Sequence, residues 1–153
     1  EAIDFIKNNN LGNDFVCQKF LIGKEYSVDT LHDLEGKLLN TVIRERSQTD
    51  SGISVVSKTL RNEKIFQHIE KLSSIFEFRG ASCIQFIESN GEFFLTDINP
   101  RFGGGSILSI SASKTFQNNI FNLLNNKNNL LEYNSKEYEI KTMYRSYKEF
   151  YKK

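Results

Sequence analysis

The sequence predicts an α+β fold: a largely antiparallel sheet with helices packed on it. Three observations carry that reading. Residues 25–32 alternate Tyr26 and Val28 against Ser27 and Asp29, the period-2 pattern of a half-buried strand. Two apolar runs, 81–88 and 92–99, flank Ser89-Asn90-Gly91, a hairpin signal. Between these groups, Ile65, Ile69, Leu72 and Phe76 recur at helical spacing.

In chain order, residues 1–9 read as a helix, stopped by Asn8-Asn9-Asn10 and Gly12. Residues 14–21 read as a strand broken by Gly23, and 25–32 as the next. Asp33-Leu34-Glu35-Gly36 is a turn, and 37–46 return as a third strand. Residues 47–58 are polar and without periodicity, so they read as a loop. A helix over 62–78 follows, with Asn62 as N-cap, Glu63 in its first turn and Gly80 as its left-handed terminator. After the hairpin come Pro100, then Arg101-Phe102-Gly103-Gly104-Gly105-Ser106, then a helix over 115–125. The tail from 136 alternates weakly and ends basic and aromatic.

Composition narrows the function classes. At 153 residues the chain is expected to form one domain, residues 1–153. Twenty basic and nineteen acidic side chains give a formal charge of +1, so a broad nucleic-acid footprint is not expected. No apolar run reaches the roughly 18 residues of a membrane span, and no signal peptide opens the chain; a cytoplasmic protein is the expectation. Cys17 and Cys83 sit far apart in apolar runs and read as buried thiols. The chain opens without Met and already in helix, which suggests a piece of a longer or processed protein.

The chemistry-bearing segment is Asp97-Ile98-Asn99-Pro100-Arg101. At period 2, Asp97 and Asn99 share one face of a strand end, and a carboxylate beside an amide oxygen suits Mg²⁺ held jointly with phosphates. Pro100 ends the strand and leaves Arg101 at its mouth, where a guanidinium could grip a phosphate. A solvated strand end with a surface ion pair fits the same spacing. Gly103-Gly104-Gly105-Ser106 lacks a Walker ending, and its default is a flexible loop. Gln18-Lys19-Phe20-Leu21 and Glu25 flank Gly23 as a strand hinge, whose exposed backbone could read an adenine edge and whose Glu25 could accept ribose hydroxyls. An ordinary surface hairpin fits too. Arg44 and Arg46 share a face and read as an exposed charged edge, with a phosphate or carboxylate contact as the alternative. His32 and His68 have no partner at ligand or triad spacing.

In combination these segments are more specific. Val16–Asp29 resembles the hinge of ATP-grasp enzymes. Ala81–Gly104, with Cys-Ile-Gln-Phe and then Asp-Ile-Asn-Pro-Arg-Phe-Gly-Gly, resembles their metal-binding hairpin. The likeness is nearest to the large subunit of carbamoyl phosphate synthetase and stand-alone ligases similar to it. It implies the C-terminal half of an ATP-grasp domain, with the N-terminal nucleotide-clasping subdomain outside this sequence. It further implies that Gln18, Lys19 and Leu21 line an adenine pocket and that Glu25 binds ribose. Gln85, Asp97 and Asn99 would hold Mg²⁺ (or Mn²⁺) on the ATP phosphates, and Arg101 would steady the transferred phosphoryl group. The implied partners are ATP and a small carboxylate or bicarbonate, activated as an acyl phosphate. Asp97 stands where the family more often has Glu, Lys19 where relatives are often acidic, and Ser113 in place of a usual glycine. A degenerate, non-catalytic module that binds nucleotide or a partner is the alternative.

Strand parity sharpens the metal assignment. A regular two-residue Asn90-Gly91 loop pairs Gln85 with Thr96 and turns Gln85 away from Asp97. A three-residue loop, or an equivalent one-residue bulge, brings Gln85 onto the face of Asp97 and Asn99. That second arrangement is the expectation.

Overall fold

The computed structural model describes residues 2–9, 18–127, 129–132, 137–146, 148 and 151–152. Six strands form one antiparallel sheet in the order β5-β4-β1-β2-β3-β6. They are β1 Lys24–His32, β2 Leu38–Asp50, β3 Ile53–Leu60, β4 Gly80–Ser89, β5 Glu92–Asn99 and β6 Thr142–Tyr144. The helices are α1 Ala2–Asn8, α2 Glu63–Ile75, α3 Ser106–Ala112 and α4 Lys114–Leu124. Among the described residues no helix is long and apolar enough to cross a membrane.

Alternation along β1 divides the sheet into two chemically distinct faces. Tyr26 and Val28 face α2, whose Ile65, Phe66 and Ile69 join them with Ile43, Ile84 and Phe86 in the core. His68 of α2 lies 5.9 Å from the Phe86 ring, which places the helix on this face. Ser27 and Asp29 point the other way, toward α3, which bonds Asp29 through Ser106 and Ser109. Phe116 of α4 is fully buried, and Asn119 of the same helix donates to Asn40 at 2.9 Å. Two short helices thus cover part of a polar sheet face and leave the rest open.

Several sequence expectations need correction. Residues 18–21 are not a strand, and 14–17, with Cys17, lie outside the described residues. Both edges of β1 are occupied, by β2 and β4, so the preceding segment has no ladder to join there. It leaves across β4 at Gly23, where a Cβ would overlap the Glu88 carbonyl. Residues 47–58 are no loop: β2 continues to Asp50 and β3 starts at Ile53. Ser51 and Gly52 both take positive φ, 49° and 79°, as a two-residue hairpin turn with the twist of its strands requires. The polar residues that disguised β3 are buried and bonded. Ser57 donates to the Glu45 carbonyl at 2.8 Å and Thr59 to the Glu139 carbonyl at 2.8 Å.

The α2 stripe is also shifted. Ile65 and Ile69 are buried as expected, and Phe66 joins them, but Leu72 is only partly buried and Phe76 is 50% exposed. The helix ends at Ile75, and Phe76 is already extended, so it has left the helical face. Gly80 does take a positive φ of 72°, yet as the first residue of β4 rather than as a helix cap. Asn62 caps α2 as expected, accepting from the Lys64 and Ile65 amides. The expected helix over 115–125 is α4, and α3 before it was not anticipated. Ser113 separates the two and caps α4 by accepting from the Phe116 amide.

Candidate functional site

The β4–β5 hairpin closes with a two-residue turn: Ser89 pairs with Glu92, and Asn90 and Gly91 carry positive φ. A register shift then follows. Phe86 pairs with Leu95, but Gln85 pairs with Asp97, so Thr96 is an extra residue bulged from β5. The one-residue bulge puts Gln85 and Asp97 side by side on one face, with Asn99 next along, opposite Cys83. This is the second of the two forms that parity allowed.

Asp97 and Arg101 are exposed, whereas Gln85 and Asn99 are half-buried. The Asn99 amide donates to Asp97 Oδ2 at 2.5 Å, and its Oδ1 accepts from Arg101 Nη2 at 3.2 Å. Arg101, Asn99 and Asp97 thus form one hydrogen-bonded chain across the strand mouth. Gln85, Asp97 and Asn99 can each offer a side-chain oxygen, a donor set that fits a hard cation such as Mg²⁺. Among the described residues no three His, Cys, Asp or Glu side chains gather to hold a metal. The set therefore rests on one carboxylate, so a cation there would need oxygens from a ligand as well.

The hinge residues also converge. Gln18, Lys19, Leu21 and Glu25 line a single cleft of about 530 Å³ with Phe20, Ile87, Phe94, Leu95 and Thr96. Ile87, Phe94 and Leu95 give its β4–β5 side a largely apolar wall, and the hinge side mixes polar Gln18, Lys19 and Glu25 with apolar Phe20 and Leu21. Glu25 is held by Arg46, Nη1 to Oε2 at 2.7 Å. The bulged Thr96 borders this cleft, and its neighbour Asp97 faces Gln85.

Sequence reasoning missed the anchor beneath the glycine loop. Arg44 is not an exposed edge but fully buried, 1% accessible. Its Nε lies 2.7 Å from Asp29 Oδ2 and its Nη2 3.3 Å from Oδ1. Ser106 and Ser109 donate to the two Asp29 oxygens at 2.5 Å each, and Ser106 Oγ accepts from the Gly103 amide at 2.8 Å. The 103–105 loop is therefore tied to β1 and β2, and Arg145 Nη2 clamps it from outside through the Gly104 carbonyl at 2.6 Å. Burial alone would lower the Arg44 pKa, but the charge and hydrogen bonds of Asp29 hold it above its ordinary value. Burial, reinforced by the Asp29 charge, pushes the Cys83 thiol up to about 12, so it remains a neutral, inert thiol. One signal was available: Ser27, Asp29 and Arg44 all fall on a single polar face by parity.

A family profile described as "ATP-grasp in the biosynthetic pathway with Ter operon" matches residues 12–145. The chain belongs to the ATP-grasp family. Carbamoyl phosphate synthase large chain of Clostridium botulinum (strain Loch Maree / Type A3) is 32% identical to this ATP-grasp chain over 113 residues, 66% of this chain and 10% of the relative. The chain thus spans about a tenth of the length of the curated relatives that it matches. N5-carboxyaminoimidazole synthetase from Staphylococcus aureus has the same fold, with a TM-score of 0.60 at 18% identity over 80% of this chain and 33% of that one. The complex of that synthetase with ADP aligns at a TM-score of 0.55 and 19% identity, over 69% of this chain and 31% of that one. These likenesses show an ATP-grasp, ligase-like module built on this antiparallel sheet.

Proposed function

We propose that this chain is the ATP- and metal-holding half of a ligase that activates a carboxylate or bicarbonate as an acyl phosphate. The observation that carries the reading is the Thr96 bulge, which aligns Gln85 with Asp97 beside Asn99 and Arg101. The open cleft of Gln18, Lys19, Leu21 and Glu25 would take adenine and ribose against Ile87, Phe94 and Leu95. Gln85, Asp97 and Asn99 would hold Mg²⁺, which when bound supplies charge neutralisation on the ATP phosphates. Asn99 would turn its Oδ1 from Arg101 to reach the ion, freeing the Arg101 guanidinium for the phosphoryl group in transfer. The carboxylate oxygen attacks the terminal phosphorus, ADP leaves, and a second nucleophile then displaces phosphate from the mixed anhydride.

A second clasping subdomain of the same protein would close over the cleft. Exposed Phe20 and Ile22 would supply part of its seat. The isolated chain is expected to bind Mg-ATP weakly and not to turn over, since one half bears the full ordering cost.

The test uses the natural protein at full length. Calorimetry is expected to show Mg²⁺-dependent ADP binding, weakened at least about tenfold by Asp97→Ala, the loss expected when one charged contact is removed. Turnover with ¹⁸O-labelled bicarbonate, or with a panel of ¹⁸O-labelled carboxylates, is expected to place label in the released phosphate. Failure to bind nucleotide sinks the proposal, and binding without carboxylate-dependent turnover favours a regulatory module.

A further inference from the structure

Glu25 lies just beyond the last paired residues of β1 and β2, Tyr26 and Glu45, and Arg46 is the next residue of β2. The two side chains form an ion pair, Arg46 Nη1 to Glu25 Oε2 at 2.7 Å. We propose that Arg46 is a positioning residue: it aims Glu25 at the ribose and so sets a preference for ribonucleotides. This rests on the ligase reading above, in which Glu25 accepts the ribose hydroxyls.

Burial sets this pair apart from an ordinary surface ion pair, which joins two mobile side chains and fixes little. The Arg46 side chain is only 11% exposed, whereas that of Glu25 is 45% exposed. Arg46 is itself held on two further sides. Its Nε donates to Ser54 Oγ at 3.3 Å and its Nη2 to the Gly52 carbonyl at 2.7 Å. A planar guanidinium with all three nitrogens engaged keeps one orientation, and it passes that orientation to the carboxylate.

The backbone around Arg46 is shaped for these contacts. Arg46 pairs with Ser57, but Gln48 pairs with Val56, so Ser47 is an extra residue bulged from β2. A bulge bends its strand and re-aims side chains. This one follows Arg46 directly, and beyond it the Gly52 carbonyl of the hairpin tip reaches the guanidinium. Three strands build the contact, so it is more than a chance meeting of two side chains at a strand end.

Glu25 lines the cleft shared by Gln18, Lys19 and Leu21, and Arg46 is not among the residues that line it. Arg46 therefore acts on a nucleotide through Glu25. With its rotamer fixed beforehand, Glu25 loses little side-chain freedom when the ligand arrives. A group poised to accept a hydroxyl discriminates against an analogue that lacks it, because the group is then left unmatched. Ribose preference thus reports where Glu25 points.

The experiment is calorimetry on the full-length natural protein with the magnesium complexes of ADP and 2′,3′-dideoxy-ADP. The wild type is expected to prefer ADP about tenfold, and Arg46→Ala to lose most of that preference. The ratio of the two affinities cancels any effect of the lost charge on the phosphates, which both ligands carry. In Glu25→Gln the preference is expected to be gone already, and adding Arg46→Ala should change the ratio no further. Should Arg46→Ala fail to fold, Arg46→Lys serves. It keeps the charge but cannot engage Glu25, Ser54 and Gly52 at once, and the same loss of preference is expected. An unchanged ratio in the Arg46 variant, or a ratio that falls further in the double variant, overturns the positioning role. Equal wild-type affinities overturn it too, while leaving the ligase reading in place. Absence of Mg-ADP binding by the wild type overturns the ligase reading and the positioning role together.

Discussion

Asp29 ties together three segments that are distant in sequence, and its loss should be felt in all of them. It holds Arg44 from β2 and accepts from Ser106 and Ser109 of α3, with no water-exposed side-chain surface. In Asp29→Asn the Arg44 charge stays buried without its partner, a change that typically costs about 3–5 kcal/mol. Urea unfolding is expected to show a loss of that order, and a loss below about 1 kcal/mol would refute the anchoring role. His32 makes a different prediction. It is fully buried, stacked on Phe78 at 5.1 Å, with Nε2 bonded to Ser73 and Nδ1 without a partner. Burial lowers its pKa from 6.5 to about 4. Above pH 6.5 the ring is neutral folded or unfolded and exerts no pH dependence. As pH falls from 6.5 toward 4, the unfolded chain takes up the proton first, so stability declines over that window. Subtracting the urea midpoints of His32→Phe from those of the wild type should isolate this decline; a flat difference between pH 4 and 6.5 would dismiss it.

The hinge segment 18–23 lies outside the strands and passes β4 at close range. Gly23 lies against the Glu88 carbonyl, so Gly23→Ala must lift residues 18–23 from β4. The expected cost is about 1–3 kcal/mol in stability, as for other overpacked sites. Because Gln18, Lys19, Leu21 and Glu25 line one cleft against β4 and β5, calorimetric ADP affinity is expected to fall with it. Unchanged affinity would separate the hinge from the nucleotide. Elements whose signals are local were readable from sequence: β1 by alternation, α2 by Asn62 and its stripe, the hairpin by Asn90-Gly91. The clustering of Asp97, Asn99 and Arg101 was readable for the same reason. Elements defined by distant partners were not. Ser54, Ser57 and Thr59 look like loop residues until Arg46 of β2 donates to Ser54 and the Glu45 and Glu139 carbonyls accept from Ser57 and Thr59. Arg44 looks exposed until Asp29, on the neighbouring strand, neutralises it. α3 was hidden because its N-terminus, capped by Gly105, offers no side-chain signal.

For the whole molecule, the open question of any sheet is its edges. β6 covers β3 through Val56–Tyr144, Ser57–Met143 and Lys58–Thr142, and Lys141 receives the Thr59 backbone N–H on its carbonyl. Ending the chain at residue 140 would bare β3 as an unpaired edge, a template for pairing with another copy. Sedimentation velocity is expected to show concentration-dependent self-association of that truncation, and a monomer at all concentrations would contradict it. The strand order has a kinetic consequence as well. β1-β2-β3 and β4-β5 are each joined by short turns, but β1 and β4 meet only across the long stretch that includes α2. Forming that seam closes a far longer loop than any of the hairpin turns does and is a slow, high-contact-order event of folding. Asp97 and Gln85 arrive on one side of it, Glu25, Ser27 and Asp29 on the other. A refolding chain will therefore own both hairpins before it owns a binding face, and ligand-detected refolding should lag the recovery of secondary structure.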